Sequence, residues 1–487
     1  MEPISVKGRA FVDAKGRTRI LNGMNFDHKQ GGADVFRYQL DDDFFTTYAA
    51  RGFTVLRLGV TWENLEPEPG QYNESYLRSL DAIFAAAALH GVYVFLDMHQ
   101  DLYSGFETRV GDGAPAWATL SDGYHQRKPF YVWGEAYIWG KAVHRSFDHF
   151  WANDETHGKG LQDHFSALWA MLARRYGGRS ALLGYDLLNE PFPGSLGGAM
   201  FRKLGAKAVQ EALAGSSLHR RELLHDALHK GRPGRALDHL SPAFLHAAVH
   251  AAEPIGRIFD REMYSPFLDR VATAIRRETP NGVIMMEQSI LGNVGAQQFT
   301  PPIRVDGRRE PNQCYAPHAY DFTVDTPLYK HANSARVGSF FAAAARNQER
   351  LDVPVLVGEW GSGGADPGWF PHAHFLLDFF DRRQWSQTYW AYHEGDLDTG
   401  LMDVLSRTAP QAVAGTIDYY LTDRFNDVFS LGFTQAEPAQ APTVVYIHKP
   451  CRAIETDGSY RLTPLPGGAS LLELQTAPGQ HRLQIHF

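Results

Sequence analysis

Eight short runs of apolar residues, rich in β-branched and aromatic types, recur along the chain at 19–26, 54–60, 93–99, 182–190, 282–289, 313–320, 354–361 and 386–393. Most stay apolar until a polar residue closes the run. Strands buried on both faces have this pattern, and the helix-length segments between the runs predict crossover helices. The alternation predicts an α/β fold, a (β/α)8 TIM barrel whose strand C-termini open onto a rim. Apolar spacing predicts helices over 76–90 and 164–175. Two intervals, about 101–162 and 191–278, are too long for simple crossovers and predict rim insertions. After Gly415 the pattern changes to strands at 428–434, 442–448, 471–475 and 482–487, separated by Pro and Gly turns, which predicts a small C-terminal all-β sandwich. The expected division is a decorated barrel over 1–415 and a sandwich over 416–487.

The 487 residues are 44% hydrophobic, 21% charged and 13% aromatic, which excludes disordered, collagen-like and coiled-coil chains. Lys and Arg total 47 against 55 Asp and Glu, a formal charge of -8, so nucleic acid is not the expected partner. Two distant cysteines, Cys314 and Cys451, are too few for a disulfide framework or a cysteine zinc site. No apolar stretch approaches a membrane span, and the start at Met1 lacks the apolar core of a secretory signal. That predicts a cytoplasmic protein, or a secreted one whose leader has been removed.

Reactive side chains of such a barrel sit where strands end. The runs supply Arg57 from the second, Asp97 and His99 from the third, Asn189 and Glu190 from the fourth, His318 and Tyr320 from the sixth, Glu359 from the seventh and Trp390 from the eighth. Glu190 and Glu359 are expected to face each other across the mouth. Glycoside hydrolysis requires such a pair: one carboxyl protonates the leaving oxygen, and the other attacks the anomeric carbon or activates a water. Arg57 and Tyr320 suit keeping a nucleophilic carboxylate ionised, and Asn189 suits a sugar 2-hydroxyl. His99, His318 and Asp97 suit other hydroxyls, and Trp390 offers a flat apolar face to a sugar ring.

Leu188-Asn189-Glu190-Pro191 resembles the acid/base motif of glycoside hydrolase family 5, and Gly358-Glu359-Trp360-Gly361 its nucleophile motif. Arg57, His99, His318, Tyr320 and Trp390 fill the family's other usual rim positions. The resemblance implies retaining hydrolysis of β-glycosides, with Glu359 as nucleophile, Glu190 as acid/base, Asn189 as the 2-hydroxyl ligand and the others forming subsites. Leu96-Asp97-Met98-His99-Gln100-Asp101, Gly113-Ala114-Pro115-Ala116-Trp117-Ala118 and Cys314-Tyr315-Ala316-Pro317-His318 are similar to the endoglycoceramidase branch. That likeness implies a glycosphingolipid cut between sugar and ceramide. The absent leader and the basic insert after the fourth run look more like the glucosylceramide and steryl glucoside hydrolases of the same fold, which implies release of a single glucose as the alternative.

Twelve aromatic residues between 102 and 151 predict either a satellite core over the barrel or an apolar slot for a lipid aglycone. Segment 202–235, with eight Lys or Arg against three Asp or Glu, predicts a solvated helical lid or peripheral contact with a membrane or micelle surface. No cofactor and no obligate protein partner is implied. His225 with His229, and His246 with His250, have helical metal-ligand spacing, and Asp97 with Asp101 could hold a hard cation. A metal hydrolase is disfavoured because no His-Glu-x-x-His arrangement accompanies them. A non-catalytic carbohydrate- or lipid-binding barrel is disfavoured because the glutamate pair is intact.

Overall fold

The computed structural model describes residues 1–27, 40–129, 133–214, 247–326 and 329–487, together with Arg221 and His225. Eight parallel strands, Asn22–Phe26, Val55–Thr61, Tyr93–His99, Leu182–Asp186, Val283–Glu287, Gln313–Ala316, Leu356–Val357 and Ser386–Tyr389, pair in the order sixth, fifth, fourth, third, second, first, eighth, seventh. Parallel bridges between Tyr315 and Val355 and between His318 and Glu359 join the sixth strand to the seventh and close the ring. The expected (β/α)8 barrel is the observed one. All residues of the eight strands are buried, because helices cover the outer face while alternate side chains fill the interior.

The two helices predicted from spacing run over Glu74–Leu89 and Leu161–Tyr176. The first begins where the Asn73 side chain accepts the Tyr76 N–H, replacing an acceptor that the first turn lacks. The fourth to eighth strands end sooner than the runs predict. Beyond Ala316, Val357 and Tyr389 isolated bridges, such as His318 with Glu359 and Gly361 with Trp390, continue the ladder while the polar side chains turn into the mouth.

The aromatic insertion packs as a core. Tyr103, Phe147, Phe150 and Trp151 meet one another and Trp62, Phe165, Phe192 and Phe267 mostly edge-on, with centroid distances such as 5.0 Å for Tyr103 to Phe147 and 5.4 Å for Phe150 to Phe267. The cavity left among Trp62, His99, Tyr103, Phe150 and Leu188 holds about 20 Å³, room for about one water and none for a lipid chain. The satellite-core reading is therefore the observed one for these residues. The second insertion contributes helices Ser195–Ala214, Glu253–Ile258 and Ser265–Glu278. The basic segment beyond Ala214, apart from Arg221 and His225, lies outside the described residues, as do His229 and His246.

The C-terminal strands form a seven-stranded and a four-stranded sheet around Ile417, Phe429, Phe433, Val445, Leu474 and Ile485. Residues 4–19, counted with the barrel in the sequence expectation, belong to the larger sheet as strands Ile4–Lys7, Ala10–Asp13 and Thr18–Arg19. Thr18 and Arg19 pair with Val413 and Ala412. Turn chemistry makes this possible: the Asp13 carboxylate accepts the Lys15 and Arg17 N–H groups at 3.0 Å, folding the chain back on itself. No helix among the described residues is long and apolar enough to cross a membrane.

Candidate active site

Arg57, on the second strand, is fully buried, and the floor of the mouth is built around its guanidinium. Nη1 donates to Glu359 Oε1 at 2.7 Å and to Asn25 Oδ1 at 3.0 Å. Nη2 donates to Glu287 Oε1 at 2.7 Å and to Asn189 Oδ1 at 3.0 Å, and lies 3.0 Å from Asp97 Oδ1. Nε donates to Asp186 Oδ2 at 3.0 Å. Burial pulls the guanidinium pKa down, but Asp97, Asp186, Glu359 and Glu287 outweigh it and hold it well above its ordinary value. Arg57 is a permanent cation serving four carboxylates.

Glu359 takes Arg57 on one oxygen and the Tyr320 hydroxyl on the other at 2.8 Å. Burial, and then the charge of Glu359, push the Tyr320 phenol well above its ordinary range, so it stays a donor. Glu190 Oε1 accepts Asn293 Nδ2 at 2.5 Å and lies 3.1 Å from His318 Nδ1. Burial pushes His318 down to about 3, leaving a neutral imidazole beside Glu190. Glu190 has φ +42°, outside the range a side chain prefers; its N–H is held by Glu287 Oε2 at 2.7 Å, and its carbonyl accepts Gln100 Nε2 at 3.3 Å.

One oxygen of Glu190, one of Glu359 and a His318 nitrogen lie within 4.8 Å of one another. Inversion requires carboxyls about 6.5–9.5 Å apart to admit a water, whereas retention requires about 5–5.5 Å. The pair is set for retention. Beside it, His99 Nδ1 meets Asp97 Oδ2 at 2.7 Å, and its ring stacks on Trp390 at 5.3 Å and 13°. Burial lowers the His99 pKa, but Asp97 and Asp27 outweigh it and hold the ring well above its ordinary value, as an imidazolium.

All nine residues expected from the strand ends thus converge on one mouth. Arg57 holds the nucleophilic carboxylate, as its residue type suggested, but forms no subsite of its own: like Asp97, expected to bind sugar hydroxyls, it is buried beneath the floor, and the two, ion-paired to each other, reach a substrate only through Glu359 and His99. Four site residues escape the sequence reading: Asn25, Asp186, Glu287 and Asn293. Glu287 closes the fifth strand and Asp186 the fourth, two and four residues before their runs end, so the strand-end criterion applied to the observed strands contains them. Asn293, on the short turn Ile290–Val294, carries no such signal.

Three groups among the described residues bring metal-ligand atoms within 4.8 Å: Asp97 with Asp186 and Glu287, Glu190 with His318 and Glu359, and Asp27 with His99 and Asp112. The first has Arg57 as its cation. The second is the carboxyl pair itself. In the third, His99 is already engaged by Asp97 at 2.7 Å. The weighed pair Asp97 and Asp101 is likewise committed, since Arg57 and His99 already neutralise Asp97, and His250 pairs with Glu253 at 2.7 Å.

A family model described as cellulase (glycosyl hydrolase family 5) matches residues 12–215 and 246–396. The chain belongs to glycoside hydrolase family 5. It is similar over its whole length to endoglycoceramidase I of Rhodococcus hoagii, with 26% identity over 501 residues, covering 99% of this chain and 88% of that protein. It is 27% identical over 252 residues to a glucosylceramidase of Cryptococcus neoformans var. grubii, covering 40% of this chain and 34% of that one. The solved lactosyl-enzyme intermediate of endo-glycoceramidase II from Rhodococcus sp. superposes with a TM-score of 0.72 at 25% identity, covering 98% of each chain. This family 5 enzyme is a retaining glycoside hydrolase, and its floor of four carboxylates on one arginine is the setting in which its glutamate pair works.

Proposed function

We propose that this enzyme hydrolyses the β-glycosidic bond between a sugar and a lipid aglycone, releasing the glycan of a glycosphingolipid from ceramide. The observation that carries the reading is the retaining spacing of Glu190 and Glu359 in a chain similar over its full length to endoglycoceramidase I. Glu359, held between Arg57 and Tyr320, attacks the anomeric carbon and forms a glycosyl ester. Glu190 protonates the departing oxygen, so ceramide leaves as the free alcohol. Glu190, now a carboxylate, takes a proton from a water that attacks the same carbon and frees both the sugar and Glu359. Asn189, with Nδ2 beside the third-strand rim, suits the sugar 2-hydroxyl; His99, His318 and Trp390 suit the ring and its other hydroxyls.

A second reading is supported by the partial likeness to glucosylceramidases: release of one glucose from glucosylceramide or a steryl glucoside. Mass spectrometry of products from glucosylceramide, a ganglioside and a steryl glucoside, incubated in mild detergent, separates the two. Intact oligosaccharide with free ceramide is the expected result. Glucose from the simple glycolipids alone would favour the second reading, and no product from any of them would overturn both.

Contact with a lipid surface belongs to the same proposal. Trp139, 72% exposed, and the exposed Phe106, Tyr124 and Phe322 stand on the loops that follow the third and sixth strands, on the side of the mouth. Large exposed aromatics suit the interface of a bilayer or micelle, where an apolar body and a wet surface meet. Trp139→Ser is expected to lower hydrolysis of glycolipid in vesicles several-fold and to leave a soluble aryl β-glycoside unaffected. Equal losses on both would mean that Trp139 supports the fold instead.

A further inference from the structure

Asp186 and Glu287 stand outside every step described above, yet both are fully buried and one oxygen of each lies within 4.8 Å of the other. They share the Arg57 guanidinium with Asp97 and Glu359, so the floor holds more negative than positive groups. Two buried carboxyls this close do not both ionise; one proton stays between them. Burial raises both, the charge of Asp186 adds to it at Glu287, and the charge of Asp97 adds to it at each.

The hydrogen bonds say what Glu287 holds. Glu287 Oε1 accepts Arg57 Nη2 and Oε2 accepts the backbone N–H of Glu190, each at 2.7 Å, so both of its oxygens are acceptors. Asp186 Oδ2 accepts Arg57 Nε, while its buried Oδ1 meets no donor and the carboxyl is within hydrogen-bonding reach of Glu287. The other charged or titratable side chains facing Glu287 are Asp97 on the third strand and His318 on the sixth, whose Nε2 is 3.4 Å away. Tyr264 donates its hydroxyl to the Glu287 carbonyl at 3.2 Å, and Cys314 lies near Asp186.

We infer that Glu287 is a positioning residue for Glu190: with one oxygen on Arg57 and the other on the Glu190 N–H, it fixes that residue's left-handed backbone and ties the acid to the guanidinium that holds the nucleophile. This rests on the role given to Glu190 in the proposed mechanism. A glutamine at 287 turns its NH2 group against either Arg57 or the Glu190 N–H, donor against donor.

The test compares kcat/KM, which reports glycosyl transfer to the enzyme alone, for a 2,4-dinitrophenyl β-glycoside and for a 4-methylumbelliferyl β-glycoside of the same sugar. The first needs no proton for its leaving group and the second does. Glu287→Gln is expected to lose about tenfold or more on the second, the order of a damaged general acid, and less than threefold on the first. Equal losses of Glu287→Gln on both substrates would overturn the inference. Glu190→Gln is the internal control: if that variant shows no leaving-group split, it is the acid assignment that fails, whereas a split in Glu190→Gln without one in Glu287→Gln sinks this inference alone.

Discussion

Glu359→Ala lowers kcat/KM on any β-glycoside this enzyme accepts by about 10⁵-fold, the scale expected when a covalent nucleophile is removed, while the protein stays folded. The fold survives because Arg57 keeps Asp97, Asp186 and Glu287 as partners, so deletion leaves no uncompensated cation. The loss is large because the groups that hold the carboxylate, Tyr320 and Arg57, donate to it and are not nucleophiles themselves. Added azide fills the space left by the side chain and attacks in its place. Because it replaces the first of two displacements, the product is the α-glycosyl azide. In Glu190→Ala with an activated substrate, the glycosyl ester on Glu359 still forms, and azide then replaces water in the second displacement to give the β-glycosyl azide. Proton NMR of the anomeric position reads the two outcomes. The reverse pairing would exchange the roles of the two glutamates, and no azide product from either would remove the covalent mechanism.

What could be read from the sequence, and what could not, divides along physical lines. A strand buried on both faces must be apolar and must end where a polar group appears, so the eight barrel strands and the nine mouth residues are visible as one pattern. The early ends of the strands were not visible. Leu187 to Glu190 are as apolar up to Asn189 as a strand would be, and only the Glu190 backbone, held by Glu287 and Gln100, shows that the ladder has stopped. The N-terminal hairpin was missed because strands of two to four residues carry too little alternation, and its decisive feature is a side-chain turn at Asp13. Composition located the aromatic insertion but could not say which way its rings face; packing against Trp62, Phe165 and Phe267 decides that. Asp186 and Glu287 show the deepest limit. Their residue types were in view, but sharing a proton is a property of distance, and two residues 101 positions apart in the chain do not reveal it.

Arg57→Met destabilises the fold by about 3–5 kcal/mol or more, the cost of breaking a buried ion pair by removing one partner, and abolishes most activity. Methionine matches much of the arginine stem in volume, so the loss is electrostatic rather than a cavity. Four carboxylates then face one another in a buried site with His99 as the nearest cation, and at neutral pH they must either stay charged at high cost or take up protons. The sign of the pH dependence follows. In the wild type, Arg57 and His99 hold Asp97 below its ordinary value against burial, so the stability Asp97 contributes is present above its unfolded pKa and is lost as pH falls through the folded one. Without Arg57 the same carboxyls rise above their unfolded values, the folded state binds the extra protons, and folding gains as pH falls. The gap in Tm between wild type and Arg57→Met, measured from pH 8 to pH 5, is therefore expected to narrow steadily towards acid. A gap that stays constant across that range would mean that the methionine damages packing and that the guanidinium is not what balances the floor. Arg57→Lys tests the geometry separately: one ammonium keeps the charge but cannot reach Asp186, Glu287 and Glu359 at once, so it should narrow the stability gap without restoring the hold on the nucleophile.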